Sequence, residues 1–192
     1  MKKNVQDITL LGLMTSIIII MTAVPGIGFI PIGPVNATIV HIPVVIIGIV
    51  KGPKLGAILG TIMGVASMIN ALLRPTPTSF LFMNPIIAIL PRMLIGLVTG
   101  YTAVLLRNRG AKYKLDKIIP AALGSMTNTV GVLSLIFIIY ASAYMEAIGR
   151  TGQSALKFLL GIASVNGVIE LLVCVVISTP IAYALKRYEK KR

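Results

Sequence analysis

Six long apolar runs separated by short polar gaps constrain this chain more than any other feature of its sequence. A helix needs about 20 apolar residues to cross the hydrocarbon core of a bilayer. Hydrophobic residues make up 56% of the 192 residues, more than a soluble domain of this size can bury. The sequence therefore predicts an all-α integral membrane protein, a six-transmembrane-helix bundle forming one membrane domain over residues 1–192. The predicted helices are 8–24, 35–50, 55–72, 86–106, 118–140 and 157–185.

The basic residues fall in alternate gaps, and this pattern predicts an orientation. Short cytoplasmic loops of membrane proteins carry an excess of Lys and Arg. Most of the 18 Lys and Arg residues lie at the N-terminus, after the second and fourth runs, and in the C-terminal tail. Both termini are therefore expected in the cytoplasm. The gaps at 25–34, 74–79 and 141–155 are rich in Gly, Pro, Ser and Thr, and we expect them outside, either as plain turns or as a lid over a cavity.

Several classes of function lack the residues they need. A net charge of +13 would suit nucleic-acid binding, but the cations lie between apolar runs rather than on one face. The single cysteine, Cys174, lies in an apolar run, so no intrachain disulfide, metal site or cofactor is expected. The sequence contains no GxxxxGK[ST], HExxH or GxSxG motif, which argues against an enzyme and against ATP hydrolysis by this chain.

Polar side chains at membrane depth indicate a binding site, because ionisable groups inside a span usually face protein or a cavity. Arg92 lies roughly 9 Å into the fourth span, and Asn166 and Glu170 lie roughly 14 and 20 Å into the sixth. Arginine offers a fork of donors to a carboxylate, asparagine offers a donor and an acceptor, and glutamate accepts. No catalytic residue is expected. The candidate substrate-binding residues are Arg92, Asn128, Asn166, Glu170, His41 and Asn84.

Two of these assignments have structural alternatives. An Arg92–Glu170 ion pair bridged by asparagines would only hold helices together. His41, a lone histidine in an apolar run, is either a packing residue or part of the lining of the same cavity.

Small residues also recur at helical spacing. Gly12 and Ser16 form a small-xxx-small pair in the first run, and Gly56, Gly60 and Gly64 form a ridge in the third. Such faces allow close approach of helix backbones, either inside the bundle or against another membrane protein.

The chain resembles a substrate-binding S component of the energy-coupling factor (ECF) vitamin transporters over nearly its whole length. The resemblance rests on the size, the six spans, the cytoplasmic ends, the small pair in the first helix and local sequence, and it is strongest for the pantothenate branch. The local strings are Asn36-Ala37-Thr38-Ile39-Val40-His41-Ile42-Pro43, Lys51-Gly52-Pro53-Lys54-Leu55-Gly56-Ala57, Arg74-Pro75-Thr76-Pro77-Thr78-Ser79-Phe80 and Pro91-Arg92.

The resemblance implies a multi-pass plasma-membrane protein of bacterial type that captures a vitamin, pantothenate being favoured, and delivers it inward. It also implies docking through the first three helices on a transmembrane coupling protein driven by two cytoplasmic ATPases. The family motif in the first helix is usually Ala-xxx-Ala, so this chain departs from it. The expected docking residues are Gly12, Ser16, Gly56 and Gly60.

For pantothenate, Arg92 is expected to pair with the carboxylate, and Asn128, Asn166 and Glu170 with the polar remainder. Three alternatives stay open at this point. One is another substrate, such as hydroxymethylpyrimidine or another vitamin precursor, which would use Glu170 rather than Arg92. The others are a structural membrane protein and a small membrane transferase.

Overall fold

The computed structural model describes residues 2–24, 26–32, 35–110 and 114–190, which form a helical bundle with one short hairpin. Five described helices are long and apolar enough to cross a membrane. A multi-pass helical architecture is thus confirmed, whereas the count of six spans and the side of the termini remain predictions. The elements in chain order are α1 (Lys2–Ala23), β1 (Phe29–Ile32), β2 (Val35–Thr38), α2 (Ile42–Lys51), α3 (Pro53–Leu73), α4 (Ser79–Met83), α5 (Pro85–Asn108), α6 (Leu115–Ala147) and α7 (Ala155–Lys190).

The second predicted span, 35–50, is wrong in its first part. Residues Val35–Thr38 form a strand that pairs antiparallel with Phe29–Ile32, and the helix begins only at Ile42. Pro43 lies in the first turn of α2, where its fixed φ suits a helix start and its missing N–H costs nothing. The hairpin pairs backbone groups of the residues that precede α2. The apolar run 35–50 is therefore divided between a strand and a helix.

The short helix α2 is the centre of the bundle. All residues from Ile42 to Val50 are buried, and α2 contacts α3, α5, α6 and α7. Gly52 then reverses the chain with φ of 89°, a conformation that side-chain-bearing residues rarely adopt, and α3 begins at Pro53. A helix that is apolar on every side is typical of a buried position, and the long helices surround α2.

The helix ends near the α3–α5 and α6–α7 connections differ from the predicted boundaries. The predicted loop 74–79 leads into the short helix α4, and α6 continues to Ala147 rather than ending at 140. Tyr140 has non-helical angles inside α6 (φ −133°, ψ 22°), so the predicted end coincides with a kink. The last seven residues of α6 therefore run in a new direction.

A glycine seam joins α3 to α5, and this contact decides the role of the α3 ridge. A Cβ added at Gly60 would lie 2.1 Å from the carbonyl oxygen of Arg92, and one at Gly96 would lie 2.0 Å from the carbonyl carbon of Gly56. The two backbones touch directly, which only glycine permits at these positions. The ridge therefore serves internal packing, the alternative left open above. The docking role expected of Gly56 and Gly60 is corrected accordingly, because α5 already covers that face.

Charged residues gather where α2 ends, a region called here the basic end. The Lys51 ammonium pairs with Asp7 on α1 and with Glu189 on α7. Arg107 on α5 donates to the carbonyl of Ile49 at 3.1 Å. The basic end thus ties four helices together at the side opposite to the hairpin.

We expect Gly60→Leu to lower the stability of the bundle by about 1–3 kcal/mol, because the new side chain must push α3 away from the α5 backbone. Cys174 is fully buried, so a fluorogenic thiol reagent that reacts with it on heating measures unfolding. Gly12→Leu is the control, since a Cβ at Gly12 meets nothing within 4 Å. Equal melting temperatures for the two variants would contradict the close backbone contact.

Candidate functional site

Arg92 is held in the bundle interior by a feature of its own helix. Pro91 has no N–H, so the carbonyl of Ile87 lacks its usual helical partner, and the Arg92 guanidinium fills that place with a 2.8 Å bond. The guanidinium also lies 5.1 Å from the ring centroid of Phe82 on α4. The residue is 5% exposed, and its Nε has no hydrogen-bond partner among the described residues.

Glu170 on α7 is 6% exposed and uses both carboxylate oxygens. One accepts the backbone N–H of Thr38 at 2.7 Å, and the other accepts the hydroxyl of Thr129 at 2.9 Å. The carboxylate therefore anchors the end of the hairpin to α7 and links α7 to α6. Charge-assisted bonds of this kind are stronger than neutral ones.

Arg92 and Glu170 are neighbours but not an ion pair. The ion pairs of the described residues are Lys51 with Asp7 and Glu189, and Lys117 with Asp116. The opposite charges of Arg92 and Glu170 interact over a longer distance. A direct bond between them, the structural alternative considered from the sequence, is therefore not what holds these helices in place.

Two asparagines on α6 and α7 belong to the same group of buried polar side chains. Asn128 on α6 lies beside the Glu170 carboxylate, and its Oδ1 has no hydrogen-bond partner among the described residues. Asn166 is buried one turn before Glu170 on α7. An amide can donate and accept, so these side chains suit an amide or a hydroxyl group of a ligand.

His41 lies at the first turn of α2 and is 0% exposed. Neither ring nitrogen makes a hydrogen bond of normal geometry to a described residue, although the backbone of Thr38 lies close to the ring. His41 also lies near enough to Arg92 for their charges to interact. The structure thus brings Arg92, Glu170, Asn128 and His41 to one region behind the hairpin.

Asn84 makes hydrogen bonds that stabilise the fold. Its Oδ1 caps α5 by accepting from Ile86 N at 2.9 Å, and its Nδ2 donates to the Tyr140 hydroxyl at 3.2 Å. An asparagine cap stabilises a helix start by about 1 kcal/mol. Both polar atoms are therefore engaged at the kink of α6.

Gly12 and Ser16 lie together on the exposed face of α1. The Ser16 hydroxyl donates back to the Gly12 carbonyl at 3.1 Å, so its polarity is satisfied within the helix. The face that remains is small and apolar, and α1 buries only 17% of its most apolar window in the bundle.

Sequence reasoning missed three contributors to the site. Thr129 is next to Asn128 and is polar at membrane depth, so the same criterion would have found it. Phe82 acts through its ring face and Thr38 through its backbone N–H, and neither carries a signal in the sequence.

The described residues hold no group of three or more His, Cys, Asp or Glu that could bind a metal ion. Two surface recesses of about 440 and 310 Å³ lie at the α6–α7 turn and contain none of the candidate residues. The members of the cluster behind the hairpin are themselves buried, with exposures from 0% for His41 to 6% for Glu170. Its chemistry is recognition by hydrogen bonds and charge.

Residues 6–182 match the family described as ECF transporter, substrate-specific component. Because this match covers most of the chain, the protein belongs to that family. It is a transport component rather than an enzyme, and it works with an energising module.

Curated relatives agree with this assignment. The chain is 34% identical over 169 residues to the "Pantothenic acid transporter PanT" of Lactococcus lactis subsp. cremoris, covering 80% of each sequence. It is 30% identical over 177 residues to the "Pantothenate transporter PanT" of Leuconostoc mesenteroides subsp. mesenteroides, covering 88% of this chain and 87% of the relative.

A solved structure supports the fold alone. The crystal structure of the S-component for biotin from an ECF-type ABC transporter superposes with a TM-score of 0.55 at 19% identity. The superposition covers 94% of this chain and 92% of that one.

We expect Glu170→Ala to release the end of the hairpin, because the N–H of Thr38 loses its charged acceptor. Hydrogen–deuterium exchange of peptides over residues 35–40 should become faster than in the parent protein. Thr129→Val is the matched control, since it removes the other bond to the same carboxylate and leaves the Thr38 acceptor. Unchanged exchange in Glu170→Ala would show that the hairpin is held by other contacts.

Proposed function

We propose that this protein is the pantothenate-capturing component of an ECF transporter in a bacterial plasma membrane. The observation that carries the proposal is a cluster of buried polar atoms that have no hydrogen-bond partner among the described residues: Arg92 Nε, both nitrogens of His41 and Asn128 Oδ1. Buried polar groups in native proteins are normally hydrogen-bonded. A ligand with complementary groups would supply the missing partners.

Pantothenate has the groups that this cluster can recognise: a carboxylate, an amide and two hydroxyls. Arg92 would pair with the carboxylate, because its Nε has no partner among the described residues while Nη1 is fixed on the Ile87 carbonyl. Asn128 and Asn166 would take the amide, and Glu170 would accept from a hydroxyl. His41 would line the carboxylate side, next to Arg92. Two relatives at 30–34% identity carry pantothenate in their names, which supports this choice of vitamin.

A vitamin screen with purified protein distinguishes pantothenate from the alternative substrates. A neutral or cationic ligand such as hydroxymethylpyrimidine would use Glu170 and leave Arg92 without a charged partner. Ligand binding raises thermal stability in proportion to the logarithm of ligand concentration over Kd. Stabilisation by pantothenate but not by hydroxymethylpyrimidine supports the proposal, and no stabilisation by any vitamin would favour a purely structural protein.

For Arg92→Gln we expect pantothenate affinity to fall by at least about 2 kcal/mol, roughly 30-fold, since a buried charge partner of the ligand is lost. Isothermal titration calorimetry measures the change. Arg150→Gln is the matched control, because Arg150 is exposed and contacts Gln153 and Phe158 at the α6–α7 turn. Unchanged affinity in Arg92→Gln would rule out the assignment of Arg92 to the carboxylate.

The same proposal places both termini in the cytoplasm and gives the exposed face of α1 to a partner. The partner is the transmembrane coupling protein that two cytoplasmic ATPases drive. The small pair Gly12 and Ser16 supports this choice, because a Cβ at Gly12 would meet nothing within 4 Å in this chain. A helix of the coupling protein could therefore approach the α1 backbone closely.

Gly12→Leu should retain pantothenate binding and lose most pantothenate uptake by cells, because the added side chain holds the partner helix away. Gly161→Leu is the control, as Gly161 is an exposed glycine on α7 with nothing within 4 Å of its Cβ position. Equal uptake by both variants would show that the coupling protein does not dock at Gly12.

A further inference from the structure

Buried polar side chains do not stop at the candidate site. They continue along α5, α6 and α7 as far as the basic end, whereas Thr22 is the one buried polar residue among the described side chains of α1 and α3. We call this set the polar column. Its members below the candidate site are Thr99, Ser125, Cys174, Ser178, Asp116 and Lys117.

Regular spacing places the members on facing helix surfaces. On α7, Cys174 and Ser178 follow Glu170 at intervals of four residues, which is one face of a helix. The Cys174 thiol lies 3.7 Å from the carbonyl of Ala121 on α6 and 3.5 Å from the Ser178 hydroxyl. The α7 part of the column therefore faces α6.

The α5 and α6 parts of the column also meet. A Cβ built on Gly124 of α6 would lie 2.3 Å from the Thr99 hydroxyl oxygen, so that hydroxyl rests against the α6 backbone. Ser125 is the next residue of α6, and Asn128 follows one turn later toward the candidate site. The column is thus continuous from Asn128 to the level of Thr99.

Several column atoms have no hydrogen-bond partner in the part of the chain that the structure describes. The hydroxyl oxygens of Thr99 and Ser125 belong to residues that are 0% exposed, and neither makes a hydrogen bond to any described residue. The Oδ1 of Asn128, which lies nearer the candidate site, also makes no hydrogen bond to a described residue. Hydroxyls in apolar helices usually find a protein acceptor or an internal water molecule. Three such atoms in succession indicate a shared partner rather than an isolated packing fault.

The lower end of the column is charged. Asp116 and Lys117 form a buried pair at 2.7 Å, and the charge of Lys186 on α7 interacts with both of them. Buried charges are costly unless they are paired and hydrogen-bonded, so water at the basic end is the natural environment for this group.

We propose that the polar column is hydrated, and that it connects the candidate site with the basic end as an inward path of water through α5, α6 and α7. The inward direction of the path and its start at a bound vitamin rest on the proposed function. The hydration of the column does not depend on that function. The column gives the bound ligand a polar neighbour on the side away from the hairpin.

Cys174 makes the proposal testable, because it is the single cysteine of the chain and lies within the column. The probe is Ag⁺, supplied as silver nitrate in chloride-free buffer to purified protein in lipid nanodiscs. Ag⁺ is small enough to follow water, and it replaces the thiol proton. Only a thiolate reacts, and apolar burial suppresses thiolates, so a hydrated thiol reacts faster than an equally buried dry one.

The control thiol is introduced in the same molecule by Ile18→Cys. Ile18 is 0% exposed, like Cys174, but lies in the apolar contact of α1 with the bundle. Thiols that remain unreacted are alkylated after denaturation and quantified by peptide mass spectrometry. Leu59→Cys, at another fully buried apolar position, replaces this variant if the first one does not fold.

We expect Cys174 to react at least about tenfold faster than the control thiol, because only the column thiol is in contact with water. Equal rates, whether slow or fast, would overturn a hydrated column. Pantothenate should slow the reaction of Cys174 if the column reaches the site. If pantothenate binds without changing that rate, the connection is overturned. If it does not bind at all, the proposed function fails while the comparison of the two thiols still decides on hydration.

Discussion

The contact between the backbones of α3 and α5 is the constraint on which the rest of the structure depends. Glycines on both helices remove the side chains between them, and Gly60 lies directly against the carbonyl of Arg92. Lipid offers no hydrophobic force to bring helices together, so dense packing of this kind must supply the association energy. The seam therefore fixes the position of α5, and with it the depth and direction of the Arg92 side chain.

Pro91 on the same helix, α5, also determines how the Arg92 side chain is held. It frees the carbonyl of Ile87, which then binds one arm of the Arg92 guanidinium. A charge in the membrane interior is costly, and a backbone acceptor reduces this cost without neutralising the charge. Glu170 is treated in a similar way, by the Thr38 N–H and the Thr129 hydroxyl. Both side chains are thus oriented by neutral groups, which leaves each charge available for the ligand that the proposed function requires.

The sequence predicted the class of fold well because hydrophobicity, loop charge and helix length all reflect the same solvent. It failed at 35–38, where an apolar run enters a strand, since local composition does not record the pairing with Phe29–Ile32. The docking role of Gly56 and Gly60 failed for a related reason. A small-residue ridge predicts close approach, but the partner helix, here α5, is visible only in three dimensions.

The candidate site was predictable to the extent that its members are polar side chains at membrane depth. This criterion found Arg92, Asn128 and Glu170, and the structure places them near one another. It could not find the N–H of Thr38 or the ring face of Phe82, because backbone groups and aromatic faces are not distinguished by residue type.

Helices α1 and α7 are linked at the basic end through the central helix α2, and under the proposed function this link bears on transport. Helix α1 packs on α2 and α3, and its first turns reach α7 through the Lys51 ammonium, which pairs with both Asp7 and Glu189. The bundle-facing side of α1 and the C-terminal end of α7 therefore meet at one cation on the central helix. A partner that displaces the first turns of α1 would change the electrostatic environment of the α7 end without touching Glu170. Under the proposed function, an energising module docked on α1 would act on α7 through this link, since the proposed binding cluster and the proposed docking face need no direct contact.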